Sequence, residues 1–479
     1  MPKNLHDVDI CIIGAGAGGL SIASGAAQLG RSVVLFEAEE MGGDCLNYGC
    51  VPSKALISAA KYAHAQTAGK KFGIKPVTPK VDWSAVKSHI SGVIETIAPV
   101  DSQERFEGMG VTVIRERARF KDGKTVESAT FEVTAKRFIV ATGSRASVPP
   151  IPGLDKVDYL TNETIFSADI LPTHLLIIGA GPIGLELGQS FRRLGSKVSI
   201  VDIAPPLGQS EPEHAKALAK CLEEEGVEFH APVTTKKITQ TKSGITMHLE
   251  GGKKLKGSHL LVAAGRAPVV NELNLEAAGV EYTRRGITTD DCLRTSNKKI
   301  FAVGDVAAGR GGLTHAAGFH AGAIIKSFYF LPPPFNRWKG RATTDRMPAA
   351  IYTSPELASI GLTEAAAREA GHKLKVLHFE FEENDRAIAE RRTEGNVKII
   401  ATTKGKILGA SILGESAGDL IQLISLAMTN GVKISGLAQF ISPYPTRAEA
   451  VKRAASSFYT ETVFSDKTRK LAGFLTKLH

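Results

Sequence analysis

The sequence predicts an α/β protein with two copies of a strand–helix–strand unit, followed by a region of different pattern. Each copy has a glycine-rich loop between its first strand and its helix, and an acidic residue directly after its second strand. Neither feature recurs in the last third of the chain. At 479 residues the chain is too long for one hydrophobic core, which favours several domains.

The first copy contains strands at Val8–Ile13 and Ser32–Phe36 around a helix at Leu20–Leu29. Its loop has the pattern G-x-G-x-x-G, with Gly14 for the tight turn, Gly16 for close approach to a pyrophosphate and Gly19 for helix–strand packing. The helix N-terminus would face the phosphates. Glu37, after the second strand, would accept hydrogen bonds from a ribose. The pattern predicts a Rossmann-like dinucleotide-binding domain.

The second copy repeats this arrangement with strands at Leu175–Ile178 and Lys197–Val201 and a helix at Leu185–Leu194. Its motif residues are Gly179, Gly181, Gly184 and Asp202, and the spacing from first glycine to acid matches the first copy. A carboxylate at this point binds a ribose 2′-hydroxyl and repels a 2′-phosphate. The sequence therefore favours NAD, while Arg192 and Arg193 leave NADP as the alternative.

Each copy is followed by a strand that runs into a glycine turn, at Arg137–Gly143 and at Leu260–Gly265. The last third shows strands at Ala349–Tyr352 and Asn396–Ala401 and a helix at Ala417–Asn430, which is typical of an α+β domain. The predicted boundaries are 1–150, 151–275, 276–345 and 346–479. We expect the first range to bind one dinucleotide, the second to bind NAD(P), and the fourth to be the α+β domain. That the third contacts the first dinucleotide is implied only by the family resemblance described below.

Composition excludes several classes of function. The chain has 59 basic and 49 acidic residues, a net charge of +10, with no long run of like charges, so a solvated surface is favoured over a nucleic-acid partner. No apolar run is long enough to span a membrane, and the first residues lack the pattern of a signal peptide. With five sparse cysteines, we expect a cytoplasmic protein in which any disulfide is catalytic rather than structural.

Two of these cysteines, Cys45 and Cys50, lie in the segment GGDCLNYGCVPSK. Zinc sites usually bring a second cysteine pair, and the sequence has none. A helix is predicted over Val51–Ala63, with Pro52 in its first turn. Cys50 would then lie at a helix N-terminus, where a thiolate is stabilised, as an exchanging disulfide requires.

This segment resembles the active-site signature of the class I pyridine nucleotide–disulfide oxidoreductases, a family that includes dihydrolipoyl dehydrogenase, glutathione reductase and mercuric reductase. The likeness covers essentially the whole chain. It implies a bound FAD in the first domain and a homodimer formed through the last one. Cys45 would attack the substrate, Cys50 would face the flavin, and Lys54 would pair with Glu186 near it. Further residues implied in cofactor binding are Gly43, Ala141, Thr142, Gly143, Gly265, Gly304 and Asp305.

The chain departs from the family near its C-terminus. Disulfide reductases of the family use a histidine there, supplied by the partner subunit, as acid–base catalyst with a following glutamate. Here Tyr444 takes the place of the histidine and Glu449 is retained. Tyrosine titrates near ~10 rather than ~6.5, so it is a poor base at neutral pH. One of His315 and His320 could replace the missing base.

Three hypotheses about function remain open. The first is a disulfide or dithiol oxidoreductase similar to dihydrolipoyl dehydrogenase, acting on a small or protein-bound substrate. The second is a metal-ion reductase resembling mercuric reductase, which Tyr444 favours, although no cysteine follows Cys292 to deliver the metal. The third is a flavin-containing redox partner with little turnover of small substrates. No resident metal is predicted in any of them.

Overall fold

The computed structural model describes residues 3–336 and 340–477, which form two compact units. The first unit contains the residues up to Thr67, Pro76–Ile203 and Glu228–Thr344. The second contains Ala68–Lys75, Ala204–Val227 and the residues from Asp345 onward. The four-domain division made from the sequence stays a prediction, and parts of its first, third and fourth ranges lie outside the described residues.

The first nucleotide-binding region of the first unit is built on a mixed sheet. The first parallel strand in the chain pairs on one side with the second, which pairs in turn with the third. Two later parallel strands continue the sheet on the other side of the first strand. In spatial order these parallel strands are Val111–Ile114, Val33–Phe36, Asn4–Ile13, Phe131–Val140 and Ile300–Ala302. The antiparallel strands Thr125–Glu127 and Arg119–Asp122 extend the sheet from Phe131–Val140.

The second region repeats this arrangement on a smaller sheet. In spatial order its strands are Val227–His230, Lys197–Val201, His174–Ile178 and His259–Val262. An antiparallel sheet is formed beside it by Thr235–Thr241, Gly244–Leu249 and Lys254–Gly257. Short antiparallel pairs are Ser144–Ala146 with Arg266–Pro268, and Tyr282–Thr283 with Gly286–Ile287.

Helices follow several of the parallel strands and pack against these sheets. The α-helices of this part of the chain are Ala17–Gln28, Gly43–Asn47, Cys50–Ala68, Trp83–Ile97, Gln103–Gly108, Pro182–Arg193 and Thr314–Tyr329. Short 3₁₀ turns occur at Gly69–Phe72, Ala98–Asp101, Leu154–Lys156, Ile165–Ser167, Glu250–Gly252 and Gly304–Val306.

Steric contacts at the glycines explain why both motifs form the same turn. Gly14 and Gly179 have positive φ values of 107° and 114°, a region that other residues rarely adopt. A Cβ at Gly19 would overlap the carbonyl oxygen of Gly14, and one at Gly184 would overlap that of Gly179. Each helix can therefore pack directly against its strand only because these positions are glycine.

The second unit is an α+β structure on an antiparallel sheet, as predicted. In spatial order its strands are Ala349–Ile351, Glu356–Gly361, Ile407–Gly414, Asn396–Thr402 and Leu374–Glu380. Its helices are Pro212–Glu224, Glu364–Glu369, Asp385–Ala389, Ala417–Thr429, Ile434–Gln439, Glu449–Ser457, Thr460–Val463 and Asp466–Leu475, with a 3₁₀ turn at Phe381–Glu383.

A buried charge cluster joins the helix Pro212–Glu224 to this sheet. Lys398, only 2% exposed, lies 2.8 Å from Glu211, 2.7 Å from Glu213 and 2.9 Å from Glu364. Next to it, the buried His214 bonds Ser411 at 2.7 Å and Asn396 at 2.8 Å. A segment that the sequence assigns to the second nucleotide-binding domain is therefore bound, within this unit, to C-terminal strands.

The element predictions are close to the structure. The strand at Lys197–Val201 is placed as predicted, and the helix Ala417–Thr429 ends one residue early. The predicted strand at Arg137–Gly143 is misplaced, because it begins at Phe131 and ends at Val140, before the turn that Gly143 makes at a φ of 66°. Across the described residues no helix is long and apolar enough to cross a membrane.

Candidate active site

The cysteine pair lies where two helices meet. Cys45 is in the short helix Gly43–Asn47, and Cys50 is the first residue of the helix Cys50–Ala68. Both cysteines are thiols, and the two side chains are hydrogen-bonded to each other. The helix start predicted for Cys50 is confirmed, so first-turn amides and the helix dipole lie beside its sulfur.

The pKa values of the two thiols are shifted in opposite directions. The hydrogen bond from Cys45 lowers the pKa of Cys50 to about 6, with help from the hydroxyl of Thr314 and the charge of Lys54, against the opposing effect of burial. The same hydrogen bond, together with burial, raises the pKa of Cys45 far above its usual value. In the reduced pair the negative charge therefore resides on Cys50, while Cys45 keeps the proton.

Thr314 is a member of this site that the sequence did not reveal. Its hydroxyl oxygen lies 3.2 Å from the sulfur of Cys50, at the N-terminus of the helix Thr314–Tyr329. A hydroxyl that donates to a thiolate stabilises the charged form. Thr314 directly precedes His315, which is a candidate base from the sequence, but no sequence motif relates Thr314 to Cys50. Only the tertiary structure reveals their contact.

Lys54 and Glu186 form an ion pair across the first unit. The ammonium of Lys54 lies 2.9 Å from a carboxylate oxygen of Glu186, which is buried on the helix Pro182–Arg193. The resemblance implied this pair, and the structure contains it. Because Lys54 is one helical turn after Cys50, its charge also favours the Cys50 thiolate. The catalytic roles of the two residues stay predictions.

The residues around the first glycine loop fit a bound FAD. The helix Ala17–Gln28 has Gly16 as its N-cap with no side-chain cap, and a Cβ at Gly16 would meet no described atom within 4 Å. This leaves open space and free first-turn amides for a pyrophosphate. Gly43 approaches the loop so closely that a Cβ there would lie 2.8 Å from Cα of Gly16.

The second loop has the same open geometry. The N-cap Gly181 of the helix Pro182–Arg193 has no side-chain cap, and a Cβ there would also meet no described atom within 4 Å. The acids after the second strands hold the loops, since Glu37 accepts from the amide of Ala15 and Asp202 from the amide of Ala180, both at 2.6 Å. The ribose contacts of these two carboxylates stay predictions.

Asp305 is held by residues from two sides. One carboxylate oxygen accepts from the hydroxyl of Ser144 and the other from the amide of Gly312, both at 2.6 Å. Ser144 follows the turn of Ala141, Thr142 and Gly143. The predicted cofactor residues on this turn and at Gly304 therefore lie together with Asp305, while Gly265 lies next to Arg266, which bonds the same serine. Their contacts with a flavin stay predictions.

His320 does not fit the role of a replacement base. Its side chain is fully buried, and its Nδ1 accepts a hydrogen bond of 3.0 Å from the amide of Gly304. Burial, with the charge of Arg310, lowers its pKa to about 4. The suggestion that it could replace the base is wrong, because this nitrogen is already used to hold the Gly304 turn. His315 is exposed, and its role stays a prediction.

Tyr444 and Glu449 both lie in the second unit, where each is paired with a different residue. The hydroxyl of Tyr444 donates to a carboxylate oxygen of Asp385 at 2.9 Å, and this bond raises the pKa of the tyrosine further above its ordinary value. Glu449 pairs with Arg453 at 3.0 Å. Tyr444 is 73% exposed, but with its hydroxyl proton donated to Asp385 and its pKa raised it is a poor base.

Comparisons with known proteins agree with this geometry. A family model described as pyridine nucleotide-disulphide oxidoreductase matches residues 8–321, and the model of its dimerisation domain matches residues 347–455. A mercuric reductase from Streptomyces lividans is 37% identical over 467 residues, covering 95% of this chain and 96% of that protein. A dihydrolipoyl dehydrogenase from Haloferax volcanii is 34% identical over 465 residues, covering 94% and 96%.

A solved structure gives the same result. The HOCl-induced flavoprotein disulfide reductase RclA from Escherichia coli superimposes with a TM-score of 0.83 at 26% identity, covering 94% of this chain and 99% of that one. The relatives in sequence, the neighbour in fold, the two matched family models and the paired cysteines of this chain all indicate the same family. The chain belongs to the pyridine nucleotide–disulphide oxidoreductase family and is an FAD-dependent oxidoreductase of that type.

Proposed function

We propose that this protein uses NADH to reduce a disulfide substrate through Cys45 and Cys50. The observation that carries the proposal is the divided acidity of the pair: Cys50 holds the charge and Cys45 holds the proton. Bound FAD supplies the hydride acceptor between the nicotinamide and the cysteines. Asp202 supports NAD as the nucleotide, with NADP as the alternative.

The electron balance is that of thiol–disulfide exchange. Two electrons and a proton from NADH convert the Cys45–Cys50 disulfide to a Cys45 thiol and a Cys50 thiolate. The proton of Cys45 passes along their hydrogen bond to the Cys50 thiolate as Cys45 attacks one substrate sulfur and forms a mixed disulfide, and the first substrate thiolate leaves and takes that proton from Cys50. The Cys50 thiolate then attacks the sulfur of Cys45, releases the second substrate thiolate and re-forms the Cys45–Cys50 disulfide.

The reductive direction is supported by the residues of the second unit. Oxidation of a neutral dithiol needs a base to remove its proton, and the hydroxyl of Tyr444 is bonded to Asp385 with a raised pKa. Reduction of a disulfide places a smaller demand on that position, because the substrate carries no proton that a base must remove. A homodimer, in which this face meets the partner subunit, is part of the proposal.

The first experiment counts thiols. The oxidised protein is mixed anaerobically with one equivalent of NADH, and alkylated peptides are measured by mass spectrometry. We expect Cys45 and Cys50 to become alkylated together, and Cys292 to be unaffected as an internal control. Unchanged alkylation of the pair after NADH is consumed would contradict the proposal.

The second experiment compares substrates in both directions. We expect NADH-dependent reduction of lipoamide or another disulfide to exceed oxidation of dihydrolipoamide by NAD. Tyr444→His should raise the oxidative rate by about tenfold or more, since it restores a base near neutral pH, whereas Tyr444→Phe should not. Equal rates for the two variants would show that residue 444 does not limit the oxidative direction.

A second candidate function is reduction of a thiol-bound metal ion. The similarity to mercuric reductase and the tyrosine at position 444 favour it. Against it, no cysteine follows Cys292, and among the described residues no group of His, Cys, Asp or Glu is arranged to hold a metal ion. NADH oxidation that depends on Hg(II) in excess thiol, and is lost in Cys45→Ser, would favour this candidate over the first.

A further inference from the structure

The residue before Cys45 is an aspartate that the proposed reaction does not use. Asp44 lies in the short helix Gly43–Asn47, and its carboxylate is so close to Gly49 that a Cβ there would be 2.8 Å from Oδ2. Gly49 directly precedes Cys50 in the chain. A negative charge is therefore held close to Cys50, where it opposes a thiolate on that residue.

Arg266 offsets this charge. Its Nη2 lies 3.1 Å from Oδ1 of Asp44, and the two side chains are 21% and 37% exposed. The same oxygen of Asp44 accepts a hydrogen bond of 3.1 Å from the side-chain amide nitrogen, Nδ2, of Asn162. The carboxylate is thus fixed in place by two donors, one of which carries a full positive charge.

The guanidinium of Arg266 is itself held rigidly. Its Nε donates to the hydroxyl of Ser144 at 2.8 Å and its Nη2 to the carbonyl oxygen of Ser144 at 2.6 Å. The strand Arg266–Pro268 pairs with Ser144–Ala146, so backbone and side chain fix the same contact. Because Ser144 also donates to Asp305, one polar chain connects Asp44, Arg266, Ser144 and Asp305.

The groups that face Cys50 come from every element packed against it. The adjacent short helix contributes Cys45 and Asp44, and the helix of Cys50 contributes Lys54. The helix Thr314–Tyr329 contributes the hydroxyl of Thr314, and Glu186 acts through its ion pair with Lys54. Of the two acidic groups in this set, Glu186 pairs with Lys54. Asp44 lies next to the cysteine pair and is paired with Arg266.

We propose that Arg266 is a positioning residue whose ion pair with Asp44 keeps the Cys50 thiolate charged at neutral pH. The inference rests on the proposed function, since it assigns control of the same cysteine pair. Arg266 follows the glycine turn that closes the second nucleotide-binding region, so the acidity of the thiol pair is set partly by a residue of that region.

The test measures the pH dependence of alkylation at Cys50. The holoprotein is reduced with a phosphine, treated with iodoacetamide from pH 4.5 to 9, and analysed peptide by peptide. We expect Arg266→Gln to raise the midpoint for Cys50 by ~0.5 unit and Asp44→Asn to lower it by a similar amount. Below the midpoint, ~0.5 unit corresponds to about a threefold change in the thiolate fraction.

Two further variants separate charge from structure. Arg266→Lys keeps the charge and should keep the midpoint near that of the parent protein, although it loses the fork to Ser144. The double variant Asp44→Asn with Arg266→Gln removes both charges and should return the midpoint to within ~0.2 unit. If the single variants leave the midpoint unchanged, or move it in the same direction, the proposal is overturned.

A purely structural role would give a different pattern. It would lower the melting temperature of Arg266→Gln without moving the midpoint, and the double variant would not compensate, which also overturns the proposal. Chemical reduction makes this measurement independent of NADH. Failure of the proposed function would instead appear as absent NADH-dependent thiols in the parent protein, with the midpoints still measurable.

Discussion

At the scale of single residues, the chemistry depends on which sulfur carries the charge. A thiol usually titrates near ~8.5, yet the pKa of Cys50 is about 6 because Cys45 and Thr314 donate to it and Lys54 lies one turn away. Its folded-state pKa is below the unfolded value. The thiolate therefore stabilises the reduced fold most fully above the unfolded pKa, and this contribution is lost as the pH falls through about 6.

Thr314 provides a direct test at this scale. Thr314→Val removes the hydroxyl 3.2 Å from Cys50 while keeping the shape of the side chain. We expect the alkylation midpoint of Cys50 in the reduced protein to rise by ~0.5–1 unit, because a donor to the thiolate is lost. Thr314→Ser retains the hydroxyl and serves as the control. A midpoint equal in the two variants would show that the contact does not stabilise the thiolate.

At the scale of elements, the two glycine motifs separate packing from ligand binding. Gly19 and Gly184 allow a helix to contact a strand, whereas Gly16 and Gly181 leave open space at a helix N-terminus. Glycine is therefore needed at different positions of one motif for two different physical reasons. Substitutions at the two kinds of position should therefore give different results.

The second motif allows the comparison within one helix. Gly184→Ala places a Cβ against the carbonyl oxygen of Gly179 and should lower the free energy of unfolding by ~1–3 kcal/mol. Gly181→Ala should change the free energy of unfolding by less than ~0.5 kcal/mol but weaken NADH binding by about tenfold, since the methyl group occupies the open space. Urea unfolding and fluorescence titration with NADH measure the two effects. Equal losses of stability would refute this division of roles.

At the scale of the whole molecule, the second unit is assembled from distant parts of the chain. Lys398 joins three glutamates, of which Glu211 is only 3% exposed. A buried ammonium surrounded by carboxylates tolerates the loss of its charge poorly, because the remaining carboxylates are left uncompensated. This cluster therefore fixes the helix Pro212–Glu224 to the sheet of the same unit.

Removal of the ammonium tests this. Lys398→Met should lower the free energy of unfolding by about 3 kcal/mol, because the buried Glu211 loses its partner. Lys220→Met, on the helix Pro212–Glu224 that the cluster holds but in an exposed pair with Glu224, should change the free energy of unfolding by less than ~0.5 kcal/mol. Chemical denaturation at pH 7 measures both. A small effect at Lys398 would show that the cluster is not what holds the helix.

Association of two chains is the other prediction at this scale. The second unit exposes large apolar side chains, among them Ile441 at 92% and Leu426 at 65%, in the region matched by the dimerisation-domain model. We expect a homodimer in sedimentation experiments, and Ile441→Asp should shift it toward the monomer. Ile203→Asp, at an apolar position of the first unit that is 77% exposed, is the control. A monomeric parent protein would contradict the proposed dimer.

Most of the fold could be predicted from local pattern. The periodicity of strands and helices, the equal glycine-to-acid spacing and the signature around Cys45 and Cys50 each depend on residues close in sequence. The helix start at Cys50 follows from Pro52 and the residues after it, and it predicts the more acidic thiol. Even the pair of Lys54 with Glu186 came from a family resemblance to these motifs rather than from spacing.

Tertiary structure alone decided the contacts that modify this chemistry. Thr314 reaches Cys50, and Arg266 reaches Asp44, from segments far away in the sequence, so no local pattern indicates either pair. The fully buried His320 is excluded as a base by the amide of Gly304, a constraint that composition does not contain. The sequence by itself determined the reaction class, because motifs encode local geometry. The acidity of the thiols was decided by packing, because electrostatic energy depends on distance in space and on burial.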